Sequence, residues 1–240
     1  SSPDYVFVVD GTLKLDALNN IVINNEIEAG VRGAGDRNAG TIELYAKNGY
    51  IKQENPTLNL DARTNEAIRA NSLIVRASTG IDLPWTEINT LDAQNVSTGN
   101  ILVNVLTKRD TSFSTNVTGD LSITHVAQTD ANQSGNITVT TENGSITVSS
   151  TGTGVSTVGT GNITIDANDT GTDTTLTVDK LVSGTTGLIT LEADGLVTLS
   201  ALVSNSGAGG ITVKSNNNNI TQNANVTTVG GLVTYNAGVT

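Results

Sequence analysis

Over much of the chain, small aliphatic residues alternate with polar ones in stretches only five residues long. In Gly161-Asn162-Ile163-Thr164-Ile165 the two isoleucines fall two positions apart. In an extended strand both project to one side, while Asn162 and Thr164 project to the other. The template is glycine, any residue, Ile/Leu/Val, any residue, then Ile/Leu/Val/Tyr. It recurs eleven times: GTLKL at 11, GTIEL at 40, GNILV at 99, GDLSI at 119, GNITV at 135, GSITV at 144, GNITI at 161, GLITL at 187, GLVTL at 195, GGITV at 209 and GLVTY at 231. Shuffling the same residues would yield about two. The matches at 135, 161 and 187 lie 26 residues apart, those at 187, 209 and 231 lie 22 apart, and the step from 99 to 119 is 20. Further matches at 144 and 195 follow a neighbour by nine and eight residues.

A five-residue strand buries too little surface to stand alone. Stacked about 4.8 Å from a copy of itself, it shields both aliphatics in a continuous interior and satisfies its backbone through the coils above and below. The pattern therefore predicts an all-β chain, a parallel β-helix or β-solenoid with coils of about 20–26 residues that each hold two or three short strands. Glycine at the head of each pentad is expected to turn a corner with positive φ. Outward Thr and Asn are expected to form ladders between coils. Residues 1–240 read as a single solenoid domain with irregular coils in 1–98 and regular coils in 99–240. Roughly ten to eleven coils would make a rod of about 50 Å. The segments 26–40 and 61–72 lack alternation, the second suggesting a helical turn, and 81–95 holds the only Trp. Asn216 to Asn219 and Asp166 to Asp173 read as loops at corners.

Composition agrees with thin, uniform layers. Aromatics make up 3% of the 240 residues and Met is absent, whereas Thr numbers 38, Asn 28 and Gly 25. That mixture suits short strands and tight turns, not helices. The formal charge is −11 and its distribution is uneven: residues 110–240 carry only Lys180 and Lys214 against ten acidic residues. No basic stripe is available for phosphates, so nucleic acid is not expected as a partner, nor is an anionic membrane surface. The longest apolar run, Tyr5 to Val9, is too short for membrane insertion. Without cysteine there are no disulfides or thiolate metal sites. The opening SSPDYVFVVDG lacks a basic segment followed by an apolar one, so the chain reads as a processed product or an excerpt without a signal peptide.

The stretch from GLITLEADGLVTLS at 187 through GGITVKSNNNNITQ to GLVTYNAG, with GNITVTTENGSITVSS at 135 and GTGNITIDAND at 159, resembles the repeats of filamentous-haemagglutinin-like and other giant bacterial surface proteins. The resemblance covers 99–240 fairly well and 1–98 loosely. It implies a right-handed parallel β-helix, export to the cell surface or extracellular space, and a role in adhesion or the envelope. The Asn-Pro-Asn signature of the secretion domains in that family is missing; Asn55-Pro56-Thr57 departs from it, so no secretion-domain role is inferred.

Candidate chemistry is sparse. An enzyme on a β-helix needs carboxylates, often with Lys or Arg, converging on one face; here the acids are scattered through turns, and no catalytic, cofactor-binding or metal-binding residue is assigned. His125 is the only histidine and follows the strand Leu121 to Ile123, a structural position. The string D-A-N-D-T-G-T-D (Asp166, Asn168, Asp169, Asp173) is close to a calcium loop, but Thr170 stands where an acidic or amide ligand belongs and no glutamate closes it. The pairs Thr138/Thr140, Thr151/Thr153 and Thr172/Thr174 resemble ice-binding strands but recur irregularly.

These features predict a non-catalytic structural or adhesive repeat segment. Its partners would be a further solenoid end, more repeats of its own, a surface glycan, or a receptor on a host or neighbouring cell. The alternative is a carbohydrate-binding or polysaccharide-active β-helix module with Trp85, Tyr45 and Tyr50 sharing one groove with carboxylates. A compact β-sandwich would instead need antiparallel hairpins.

Overall fold

The computed structural model describes residues 6–8, 11–30, 40–54, 68–106, 108–109, 116–117, 119–132, 134–168 and 173–238. Among them there is no helix: twenty-three strands hydrogen-bond into one sheet, and Lys108–Arg109 pairs with Asn116–Val117 as a small antiparallel hairpin. Every pairing in the large sheet is parallel and joins a coil to its neighbour. This is the parallel β-helix that the pentads predict, and it leaves no place for a sandwich of hairpins.

Each coil visits three faces in the order A, B, C. Face A stacks Thr12–Ala17, Thr41–Ala46, 72–77, 90–95, 125–128, Gly154–Thr157, Val182–Gly184, Val203–Asn205 and Val226–Thr228. Face B stacks nine strands that begin at Ile21, Ile51, Ile81, Ile101, Ile137, Ile163, Ile189, Ile211 and Val233. Face C runs from Val6–Val8 through Ile27–Ala29, 68–70 and 86–88, then from 121–123 through Ile146–Val148, Leu176–Val178 and Val197–Leu199 to Ile220–Gln222. Beside the hairpin, 121–123 pairs back to 90–91 instead of 86–88. The segment 81–95 crosses all three faces within one strand, Ile81–Asn95. Residues 68–72 lie in the strand Ile68–Ala77, not in a helical turn; 61–67 lie outside the described residues.

Coils from Ile137 onward are 26 and then 22 residues long, whereas Asn100 to Asn136 spans 36 and Asn20 to Tyr50 spans 30. The 20-residue step between the pentads at 99 and 119 is not a coil. It carries the chain from face B to face C, just as the extra pentads at 144 and 195 are face C strands. Counting that step as a coil overestimates the stack. The nine layers among the described residues, at about 4.8 Å each, span about 40 Å.

The interior is a set of aliphatic columns. On face B, Ile51, Ile101, Ile137, Ile163, Ile189 and Ile211 are fully buried one above another, and Val103, Val139, Ile165, Leu191 and Val213 form the column beside them. Uniform β-branched and leucine layers of this kind fill a narrow prism without large rings.

The glycines at the A-to-B corner do something other than the positive-φ turning expected of them. Of the pentad glycines in this column only Gly99 has φ in the left-handed region, at 87°; Gly80, at the same corner but outside a pentad, has φ 130°. The others are required by close approach: a Cβ on Gly161 would lie 2.0 Å from the carbonyl oxygen of Gly135, and one on Gly187 would lie 2.1 Å from that of Gly161. The coils touch backbone to backbone there.

Polar side chains complete the corners. Asn100 Oδ1 accepts the N–H of Asn136 at 2.9 Å, Asn136 Oδ1 that of Asn162 at 2.8 Å, and Asn162 Oδ1 that of Leu188 at 2.7 Å. Inside the same corner, buried Asn95 donates to the carbonyl of Thr98 at 2.7 Å and to Gln128 Oε1 at 3.0 Å, and Asn205 donates to the carbonyl of Gly187 at 2.6 Å. Backbone groups that a turn would leave orphaned in the interior are satisfied in this way.

Candidate functional site

The outer positions of the three faces decide what the molecule presents. On face B, Thr138, Thr164, Thr190, Thr212 and Thr234 stand in one column. On face C, Ser122, Thr147, Thr177, Thr198 and Thr221 do the same, and on face A so do Ser156, Ser183, Ser204 and Thr227. The hydroxyls are thus in register, but singly. The position beside the face B column runs Thr140, Asp166, Glu192, Lys214, Asn236, so Thr138/Thr140 is not repeated as a pair. Thr151 and Thr153 lie at a corner, and Thr172 lies outside the described residues.

That second column is acidic. Burial, with Glu192 and Asp194 close by, pushes the Asp166 carboxyl up to about 6, against the pull of Lys214. Lys214 Nζ reaches Glu192 Oε1 at 2.6 Å, and Asn216 Nδ2 donates to Asp194 at 2.7 Å and to Glu192 at 3.1 Å. Lys214 and Asn216 thus engage Glu192 Oε1, and Asn216 also engages Asp194 Oδ1. Of the calcium-like string, Asp166, Asn168 and Asp173 are described, whereas Asp169 and Thr170 lie outside. Among the described residues, no three Asp, Glu or His side chains converge as metal ligands.

One convergence of carboxylates around an arginine does occur, on face C. Arg69 Nε donates to Glu87 Oε2 at 3.0 Å, its Nη1 contacts Glu26, and Glu28 lies next to it in register. Burial opposes the charge, but Glu87 and Glu26 outweigh it and hold the guanidinium above its ordinary range. Glu26, Glu28, Arg69 and Glu87 are each at most 8% exposed. The cluster ties coils together and offers no opening to a substrate. The sequence missed it because its members are 18 and 43 residues apart, and only the coil register brings them together.

His125 Nδ1 bonds Thr153 Oγ1 at 2.5 Å beside a bulge in face A, and burial lowers its pKa. Next to it Arg76 binds Asp92 Oδ2 at 2.8 Å and the Asp92 carbonyl at 3.1 Å.

The three aromatics considered for a glycan groove do not meet. Tyr45 lies on face A, with Lys14 Nζ 4.6 Å above its ring and its hydroxyl donating to Glu43 at 3.2 Å. Trp85 sits at the B-to-C corner, its backbone pinned by two bonds to the buried amide of Gln53: the main-chain N–H donates to Oε1 at 3.0 Å and the main-chain carbonyl accepts from Nε2 at 2.9 Å. Tyr50 alone borders a notch, of about 340 Å³, on the outer side of face B. Its walls and floor include Tyr50, Lys52, Gly80, Asp82, Asn100 and Leu102, with Asn136 and Thr138 at the far edge. Lys52 is engaged by Glu54 at 3.2 Å, while Asp82 makes no hydrogen bond or ion pair among the described residues.

No family model, curated protein or solved structure matches this chain.

Proposed function

We propose that this chain is a non-catalytic repeat segment of a filamentous-haemagglutinin-like bacterial surface protein, serving as a structural and adhesive scaffold in the cell envelope or an extracellular filament. The observation that carries this reading is the register. From Ile137 onward each coil repeats the same residue types at the same positions. The rule that adds one coil adds the next, and it builds length without a centre. A chain with this rule gains reach and a repeated outer surface, which is what a stalk or filament needs. The net charge of −11 keeps that large strand surface soluble and resists stray pairing.

The partner expected first is more of the same, either further coils or a second copy stacked end to end on β edges. Sedimentation over a wide concentration range should reveal concentration-dependent, end-to-end species; a monodisperse monomer throughout would count against copy-on-copy stacking. Localisation is tested by labelling unbroken source cells with antibody to this chain. Surface labelling is expected, and signal confined to broken cells would overturn the assignment.

A further inference from the structure

We infer that the notch on face B is a saccharide subsite that takes one neutral hexopyranose unit of a glycan. This goes beyond the scaffold reading and stands on the notch alone, so either can fail without the other.

The notch exists because of one missing side chain. The corner position that precedes each face B strand is filled by Asn20, Tyr50, Gly80, Asn100 and Asn136 in successive coils. Gly80 places nothing between the Tyr50 side chain and Asn100. A Cβ there would meet the Asn100 carbonyl oxygen at 3.4 Å, an ordinary contact and not a clash, so the position would admit a Cβ that glycine does not supply. Its φ of 130° disfavours any larger residue, and the opening is a fixed feature of the backbone.

The groups around the opening are arranged for hydroxyls. The corner ladder holds Asn100 and Asn136 by their Oδ1 atoms, each accepting a backbone N–H. A backbone N–H only donates, so the amide orientation is set by chemistry. Both Nδ2 groups are left as donors with no acceptor among the described residues. Asp82 supplies an acceptor, and Thr138 supplies a hydroxyl that does either. Tyr50 and the 36% exposed Leu102 add apolar surface at the same opening. A pyranose has the matching two sides, a ring face of C–H groups and an edge of hydroxyls that donate and accept.

Charge selects among sugars. Lys52 is already paired with Glu54, Asp82 lies in the notch, and the chain carries −11. A uronate, sialate, sulfate or phosphate would bring a second negative charge beside Asp82, whose register neighbour Lys52 is already paired with Glu54. A peptide strand finds no free edge, since the 81–83 strand is paired on both sides. The volume lies at the low end of ligand sites, which span about 300–1,000 Å³, and suits one ring. An open site of this size holds a single chain weakly, on the order of millimolar.

The test is an NMR titration of the whole chain with neutral hexaoses (cello-, manno- and N-acetylchito-series) and, as the acidic arm, hexagalacturonate. At least one neutral series should shift the side-chain amide signals of Asn100 and Asn136 with saturation. Tyr50→Ala should weaken that binding by about tenfold and Asp82→Asn by several-fold. Tyr235→Ala, on the last coil, should leave it unchanged. Should Tyr50→Ala lower the melting temperature, Asp82→Asn decides alone. The inference fails if no neutral series moves those amides at concentrations on the order of 10 mM, if the acidic arm binds there as tightly, or if binding survives both substitutions.

Discussion

The Gly135, Gly161, Gly187 column sets the tightest constraint on individual residues, because the coils there meet carbonyl to Cα. Gly161→Ala would force a Cβ to 2.0 Å from the Gly135 oxygen, where neither backbone has room to yield. We expect a loss of about 1–3 kcal/mol in a urea titration, as for overpacking generally. Gly230→Ala is the matched control: its Cβ would meet only Ala208 Cα, at 3.6 Å, and stability should hardly change. Buried polar residues give a second measure. Asn205→Leu removes the donor that satisfies the Gly187 carbonyl at 2.6 Å, and an acceptor orphaned in the interior costs about 1–3 kcal/mol. Asp166 supplies the pH dependence. Its carboxyl sits near pH 6, raised by burial and by Glu192 and Asp194, so the fold favours its protonated form. Its contribution is fully present below the ordinary carboxyl range near 4 and is lost as pH rises through about 6. Asp166→Asn should therefore raise the melting temperature at pH 7.5 and flatten its slope between pH 4 and 6; an unchanged slope would rule this group out.

The short strand is the unit of stability, and its two sides have different prices. Ile163→Ala empties a fully buried position on face B and should cost about 2–5 kcal/mol. Thr164→Val changes only the outer column and should stay within about 0.5 kcal/mol in the same assay. These elements were unequally legible. Face B was readable because glycine, corner residue and two aliphatics recur together, as in 135–139, 161–165 and 187–191. Face A in the regular half was not. Gly154–Thr157, Val203–Asn205 and Val226–Thr228 each turn one aliphatic inward, and a polar residue that ties the corner fills the next inward position. Alternation over a single aliphatic is no signal. The face B notch left a trace that alternation could not weigh: Gly80 stands in the corner position that Tyr50 and Asn100 fill in the neighbouring coils, and its missing side chain opens the corner. The Glu26–Arg69–Glu87 cluster left no trace, since it depends on coils of unequal length.

Taken as a whole, the described residues form a prism whose sides repeat from coil to coil. Its solvent face is built of hydroxyl columns and acidic groups, and its interior of aliphatic columns, so length can grow without any change in cross-section. This property underlies the scaffold role proposed above, and the notch proposed to bind a saccharide lies where one coil departs from the pattern. The claim on which all of it rests is that residues such as Thr164 and Thr190, 26 positions apart in sequence, are direct neighbours in adjacent coils. The chain has no cysteine, so engineered thiols report without interference. Parallel neighbours lie about 4.8 Å apart, within reach of a disulfide, and strands two layers apart, at about 9.6 Å, are not. Mild oxidation should therefore close an intramolecular disulfide in Thr164→Cys/Thr190→Cys and in Thr190→Cys/Thr212→Cys, and fail in Thr164→Cys/Thr212→Cys. Closure of the last pair with the first two left reduced would contradict the coil register, and with it the fold proposed for every site described above.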